Sequence, residues 1–97
     1  MKVSTIQVTA DALVRTGPGI VHAVHIAATG LTAADTVQIR DAVAAGAGTV
    51  LFTYVATGTN QEHYGFCPEP GMFCSTGIYV DVTKAGGGSV YVTLVYE

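Results

Sequence analysis

Apolar and polar side chains alternate with a period of two at the C-terminal end of this chain, and no other sequence feature constrains the fold as strongly. Two runs, residues 75–83 and 89–96, are rich in β-branched and aromatic side chains, and the glycine triplet 86–88 lies between them. The even-numbered positions are apolar from 78 to 82 and from 90 to 96. This alternation predicts strands with one buried face. We therefore predict a β-hairpin closed by the glycines, whose apolar side needs a core to cover it.

Short segments of similar composition recur along the chain at intervals of roughly 8–12 residues, as they do in β-sandwiches and barrels. The predicted strands before the hairpin are residues 2–8, 12–16, 20–28, 35–41, 49–56 and 62–66. Residues 20–28 are apolar on both faces, which predicts a central strand covered on each side. Because 97 residues is the size of one domain, we predict a single domain over residues 1–97. The predicted class is all-β, an antiparallel β-sandwich of about eight strands.

The segment 33–45 is compatible with either a helix or a strand. Thr32 and Asp35 have the spacing of a capping box, and the alanines that follow favour a helix. However, the residues after Asp35 alternate in polarity and place Val37 and Ile39 on one face. The alternation favours a strand over the first half of the segment, and the sequence leaves the helix open as an alternative.

The composition indicates a surface that contacts other protein. Only 11% of the residues are charged, against about 25% in an ordinary globular chain, whereas 49% are hydrophobic. A surface with so few charges must be covered largely by Thr, Ser, Gly, Ala and Tyr. The net charge is −3, and the four basic residues are scattered at Lys2, Arg15, Arg40 and Lys84. Because phosphate binding needs clustered basic groups, we predict no nucleic-acid partner.

The sequence shows no pattern typical of membrane proteins or of secretory signals. No apolar run has the roughly 20 residues of a membrane span. The N-terminal residues lack the apolar core and cleavage site of a secretory signal. We therefore predict no membrane association and synthesis in a cytosol.

The cysteines and histidines are the candidate metal ligands. His63, Cys67 and Cys74 are close in sequence, but neither cysteine has a partner at the spacing of a structural zinc site. His22 and His25 are three residues apart, so on a regular strand they point to opposite faces, one to the core and one to the surface. We predict no metal site and no cofactor. A disulfide between the two cysteines and a pair of reduced thiols both remain open.

No group of residues has the pattern of a catalytic site. A nucleophilic pair of Cys67 with His63 would need an orienting group, and only Asn60 is near in sequence. We therefore predict no catalytic residues and no enzymatic activity. Tyr79 and Tyr91 fall on the outward face of the predicted hairpin, where they form an amphipathic pair suited to a protein interface.

Several segments, taken in order, carry a resemblance to a known family. They are GIVHAV at 19–24, VQIRD at 37–41, GTVLF at 48–52, STGIYV at 75–80 and GSVYVTLVY at 88–96. In their order and spacing, the chain from Ala12 onward resembles small structural proteins encoded by tailed bacteriophages. It departs from their pattern in the loop from Cys67 to Cys74, where the resemblance implies a shorter connection without cysteines.

The resemblance implies a jelly-roll-like β-sandwich that serves as a virion structural protein, made in the cytoplasm of the bacterial host and located in the virion. The implied role is to decorate or cement a capsid head, through contacts among copies and with other virion proteins. A cyclic homo-oligomer such as a trimer would suit that role. Two alternatives stay open. One is a receptor- or glycan-binding module of a tail or fibre that uses the Cys67–Cys74 loop, and the other is a small Cys/His metal-binding protein or enzyme.

Overall fold

The computed structural model describes residues 3–32, 34–56, 71–86 and 88–97, and the backbone of residues 60–66. These residues form nine strands and no helix, which confirms the predicted all-β class. The strands are β1 (Ser4–Val8), β2 (Ala12–Thr16), β3 (Gly19–Thr29), β4 (Thr36–Asp41), β5 (Thr49–Val55), β6 (Asn60–Phe66), β7 (Met72–Cys74), β8 (Gly77–Thr83) and β9 (Ser89–Tyr96).

The strands form two antiparallel sheets. Sheet one has the order β1-β9-β3-β6, with β7 also paired to β3, and sheet two has the order β2-β8-β4-β5. Strand β7 pairs with the first residues of β3 and β6 with the later ones, so β6 and β7 lie end to end along one side of β3. The described strands therefore fill eight positions, four in each sheet, in agreement with the predicted number.

The order of the strands is that of a jelly roll. The pairs β1/β9, β2/β8, β3/β6–β7 and β4/β5 are the successive rungs of one long antiparallel ribbon, which turns back on itself between β4 and β5. Rolling this ribbon brings β9 beside β3 and β8 beside β4. The result is a sandwich with the jelly-roll arrangement.

The predicted hairpin between β8 and β9 is wrong. Strand β8 lies between β2 and β4 in sheet two, whereas β9 lies between β1 and β3 in sheet one. The glycine-rich connection therefore crosses from one sheet to the other. Gly88 has a φ of 107°, and a Cβ on it would lie 2.5 Å from the carbonyl oxygen of Gly30. Glycine is needed there because two loops pass close to each other, not because a hairpin turns.

Alternation identified the inward faces correctly even though it gave the wrong partners. The even-numbered positions of β8 and β9 line the core from opposite sheets, where they meet side chains of β3 and β4. The largest fully buried side chains are Ile26, Ile39, Ile78, Leu94, Val21, Val37, Val80, Val90 and Val92. Burial of each such side chain contributes about 1.5–3 kcal/mol, so this layer supplies most of the driving force that holds the sheets together.

The described part of the segment 33–45, residues 34–45, contains the strand that the alternation favoured and no helix. Strand β4 places Val37 and Ile39 in the core. The residues with capping-box spacing instead fix a loop, in which Asp35 is buried, at 3% exposed. It accepts hydrogen bonds from the backbone N–H groups of Thr32 (2.9 Å) and Ala85 (2.9 Å). Asp35 thus ties the loop before β4 to the connection between the sheets.

Candidate interaction surfaces

The structure does not bring the candidate metal ligands of the 63–74 region together. The backbone of His63 pairs with Ile26, whereas Cys74 pairs with Gly19, seven positions earlier on β3. At the rise of a β-strand these two points are about 20 Å apart, far beyond the reach of two side chains that share one ion. Cys67 lies outside the described residues. A single site that combines His63 with Cys74 is therefore ruled out by the strand pairing.

Cys74 has the environment of a core residue and not that of a reactive thiol. The residue is 3% exposed and belongs to the hydrophobic core. Burial, helped by the negative charge of Asp41, raises the pKa of the Cys74 thiol to about 11. Because the thiolate is the nucleophile and the metal ligand, the neutral thiol is inert near pH 7. The predicted alternatives for the disulfide depend on Cys67, which falls outside the described part of the chain.

The two histidines of β3 are affected by a bulge that the sequence did not reveal. The register with β9 shifts between Val21 and Ala23, so Val21 and Val24 are both buried although they are three residues apart. Side chains do not alternate regularly across this bulge. The spacing of His22 and His25 therefore does not place them on opposite faces. Both histidines are half-buried, so the prediction of one core histidine is wrong.

His22 has an acidic partner at the end of sheet one. Its Nε2 lies 2.6 Å from Glu97 Oε2, and the two side chains are 21% and 17% exposed. This pair joins the bulge of β3 to the residue after β9. Among the described residues, no three His, Cys, Asp or Glu side chains are grouped closely enough to hold a metal ion.

Asp41 stabilises the fold through its carboxylate, a role that the sequence did not reveal. Its Oδ1 accepts hydrogen bonds from the backbone N–H groups of Thr76 (2.8 Å) and Gly77 (3.2 Å). Its Oδ2 accepts from the N–H (3.0 Å) and the hydroxyl (3.1 Å) of Ser75. Donation by Ser75 and Thr76 lowers the pKa of Asp41 below its ordinary value of 3.8. Asp41 therefore fixes the turn that carries the chain from sheet one to sheet two.

The outer face of sheet two carries a network of polar and charged side chains. Arg40 Nε donates to Asp81 Oδ2 at 2.9 Å, and these side chains are 15% and 13% exposed. A second guanidinium nitrogen donates to Gln38 Oε1 at 2.8 Å. Asp81 also accepts a hydrogen bond from the backbone of Gly46 at 3.1 Å. The charges on this face are thus neutralised by groups of the same chain.

The outer face of sheet one is different. The side chains of β1, β9 and β3 that alternate with the buried positions include no charged group, and we call this surface the uncharged face. It comprises Thr5, Gln7, Ala23, His25, Ala27, Tyr91, Thr93 and Val95. Tyr91 is 45% exposed. Tyr79 lies on β8 in the other sheet, so the predicted pair of Tyr79 with Tyr91 is wrong.

A shallow groove lies at the end of the sandwich where β2 turns into β3. Its volume is about 330 Å³, and its lining includes Arg15, Pro18, Ile20, Phe73 and Glu97. Phe73, on β7, is 60% exposed. The guanidinium of Arg15 donates to the carbonyl oxygen of Pro18. An exposed aromatic ring is here combined with a cation and a carboxylate.

Comparison with known proteins adds no family to these observations. The chain matches no protein-family model, and neither the search of curated proteins nor the search of solved structures gives a match. The part of the chain that the structure describes contains no helix long and apolar enough to cross a lipid bilayer.

Proposed function

We propose that this protein is a structural component of a bacteriophage virion, of the kind that decorates or cements a capsid head, and that it acts through protein–protein contacts without catalysis. The uncharged face of sheet one is the observation that carries the proposal. The outward positions of three adjacent strands, β1, β9 and β3, include no charged side chain. Such a surface loses little on dehydration, because no ion has to leave water.

The jelly roll provides a rigid support for this surface. The even-numbered positions of β9 are packed against the core, so the alternate positions on the uncharged face are held in fixed positions. Contact with a neighbouring subunit would bury apolar area at roughly 25 cal/mol per Å². On a symmetric shell the same contact is repeated many times, and the repetition adds avidity that one contact lacks.

Two observations favour a role without catalysis. The strand pairing separates His63 from Cys74. The Cys74 thiol, with a pKa raised to about 11, is protonated near neutral pH. His63 and Cys74 therefore cannot act together at one site, and Cys74 lacks the ionisation that a nucleophile or a metal ligand needs. Cys67, the nucleophile of the Cys67–His63 candidate, lies outside the described residues.

Purified particles of the phage that encodes the chain test the proposal. Quantitative mass spectrometry of such particles should find the chain in a fixed ratio to the major capsid protein. Recombinant protein should bind capsids that lack it. A coding gene far from any capsid or tail gene, together with particles free of the chain, would refute the virion role.

Two matched lysine variants test which face makes the contact. Thr93→Lys places a charge at the centre of the uncharged face, and Thr83→Lys places the same charge on the outer side of β8. We expect Thr93→Lys to weaken capsid binding by at least about tenfold, because an unpaired ammonium would be dehydrated at the contact. Thr83→Lys should bind like the wild type. Equal binding by both variants would exclude the uncharged face as the contact.

The groove beside Phe73 favours a second candidate, a receptor- or glycan-binding module. An exposed aromatic ring can stack on the apolar face of a sugar, while Arg15 and Glu97 offer hydrogen-bonding groups to its hydroxyls. A glycan array probed with the wild type and with Phe73→Ala tests this role. Binding that Phe73→Ala loses would support it, and silence across all sugars would refute it.

A further inference from the structure

The two arginines of the chain differ in how their guanidinium groups are used. Arg40 donates to Asp81 and to Gln38, so its nitrogens are engaged within sheet two. Arg15 donates from Nε to the carbonyl oxygen of Pro18, and it forms no ion pair with a carboxylate of the described chain. The two terminal nitrogens of Arg15 are therefore left without a hydrogen bond to the described residues.

The local backbone holds the Arg15 side chain in place at the turn from β2 to β3. A Cβ on Gly19 would lie 2.7 Å from Cδ of Arg15 and 2.8 Å from the carbonyl oxygen of Glu97. Glycine at position 19 therefore leaves the space in which the arginine stem lies. Because the stem is packed there and Nε is bonded to Pro18, the guanidinium is oriented before a ligand arrives, and binding costs less side-chain entropy.

Two grooves meet at Arg15. The groove beside Phe73 has a volume of about 330 Å³, and a second groove, which is lined in part by Tyr96, has a volume of about 400 Å³. Both volumes are at the lower end of the range for ligand sites, about 300–1,000 Å³. Arg15 and Glu97 line both grooves. Each groove therefore combines an aromatic ring with the same cation.

The backbone that lines the groove beside Phe73 is already paired within the chain. The N–H of Ile20 donates to the carbonyl oxygen of Glu97 at 2.8 Å, and the N–H of Glu97 donates to the carbonyl oxygen of Ile20 at 2.9 Å. An extended peptide takes much of its affinity from main-chain hydrogen bonds to a sheet edge. This groove instead offers an aromatic ring and polar side chains, which suit a sugar better than a peptide strand.

A carboxylate is the group that fits the unbonded end of Arg15. A guanidinium presents parallel N–H donors that match both oxygens of a carboxylate, and such charged pairs are stronger than neutral hydrogen bonds. Glu97 does not fill this role, because its Oε2 lies 2.6 Å from Nε2 of His22 and it forms no ion pair with Arg15. Since like charges repel, Glu97 also orients a bound acid, with the carboxylate beside Arg15 and hydroxyl groups toward Glu97.

We propose that Arg15 is the centre of a binding site for an acidic sugar, whose carboxylate pairs with the guanidinium while its ring packs on Phe73. Phe73 is 60% exposed, so its ring is accessible for this contact. The site goes beyond the virion role. It narrows the second candidate function, glycan binding, on which it rests, to sugars that carry a carboxylate.

Matched probes test the site in the wild-type full chain. Tetragalacturonic acid and sialyllactose carry carboxylates on sugar rings, and their methyl esters keep the rings without the charge. We expect at least one acid to bind at least about tenfold more tightly than its ester in isothermal titration calorimetry, because the ester cannot form the charged pair. The amides of residues 16–20 and 73–74 should shift in NMR spectra when that acid is added. No preference in either pair, or shifts confined to other residues, would overturn the proposal.

Two variants that each remove one positive charge locate the preference. Arg15→Gln removes the guanidinium, and Lys84→Gln removes a charge from the exposed connection after β8. We expect Arg15→Gln to bind acid and ester equally and Lys84→Gln to keep the wild-type preference. Phe73→Ala should weaken the acid and the ester alike, because it removes the stacking and not the charge. A preference that survives in Arg15→Gln or disappears in Lys84→Gln would overturn the site. The wild-type comparison needs no variant, so it stays decisive if Arg15→Gln does not fold by circular dichroism.

The outcomes distinguish this site from the functions proposed above. If the wild type binds neither neutral nor acidic sugars, both the site and the glycan-binding candidate are refuted. Binding of sugars without a preference for the acids would refute the Arg15 site alone. An acidic peptide that shifts residues 16–20 while no acidic sugar does would assign the groove to a protein partner and overturn the proposal. The composition of purified particles tests the virion role independently of these results.

Discussion

The two outer faces of the sandwich use their side chains differently, although the strands beneath them share one core. On sheet two, Arg40 and Asp81 pair at 2.9 Å, and Asp41 accepts four hydrogen bonds from a neighbouring turn. On sheet one, the outward positions of β1, β9 and β3 carry no charge. The few charges that the sequence provides are thus used to fix turns and strands within the chain. The outward positions of β1, β9 and β3 are consequently left without a charged side chain.

The largest expected effect comes from breaking the network of sheet two. Arg40→Ala removes the partner of Asp81, a side chain that is 13% exposed, and leaves its carboxylate without its cation. We expect a loss of about 2–3 kcal/mol in the free energy of unfolding, measured with urea. The matched Thr93→Ala on the uncharged face should change it by less than about 0.5 kcal/mol. Equal losses in the two variants would remove the distinction between the faces.

A smaller effect is expected at Asp41. In Asp41→Asn an amide replaces a carboxylate that accepts from Ser75, Thr76 and Gly77, and we expect a loss of about 1–2 kcal/mol near neutral pH. Because the pKa of Asp41 is lowered by folding, its stabilisation is present above 3.8 and disappears as the pH falls through the folded value. The difference between wild type and Asp41→Asn should therefore shrink below that pH. A difference that stays constant down to strongly acidic pH would show that the carboxylate charge is not responsible.

The smallest expected effect is that of salt on binding at the uncharged face. If capsids bind there, raising the salt concentration should change the affinity by less than about twofold, because no ion pairs are screened. Biolayer interferometry over a salt series measures this directly. A steep loss of affinity with salt would indicate that the charged groups of sheet two or of the loops make the contact instead.

How far the sequence could predict the fold is clearest at β8 and β9. Alternation depends only on neighbours in the chain, so it identified the inward faces of both strands and of β4 correctly. Strand partners depend on the whole ribbon, and a local pattern could not reveal that β8 and β9 belong to different sheets. The glycine triplet was consistent with both a hairpin and a crossing.

The surfaces were harder to predict for the same reason. The bulge in β3 broke the period-two argument for His22 and His25, and nothing in their local sequence marks it. The partners of Asp41 lie more than thirty residues away, so no motif connects them. The composition shows that charged residues are scarce. That they lie away from the uncharged face can be seen only from the strand order. The sequence thus predicted the kind of surface and not its location.

The rolled ribbon also has a consequence for how the protein is made. Strand β9 separates β1 from β3, and β8 separates β2 from β4, so neither sheet can close around its early strands until the last two have been synthesised. Nearly every rung joins segments that are distant along the chain, a topology associated with slow folding. On the ribosome the edges of the early strands would stay unpaired, and the low charge of their outward positions would leave them prone to aggregation. Production of soluble protein should therefore depend on chaperones and on growth temperature more than the stability of the finished sandwich would suggest.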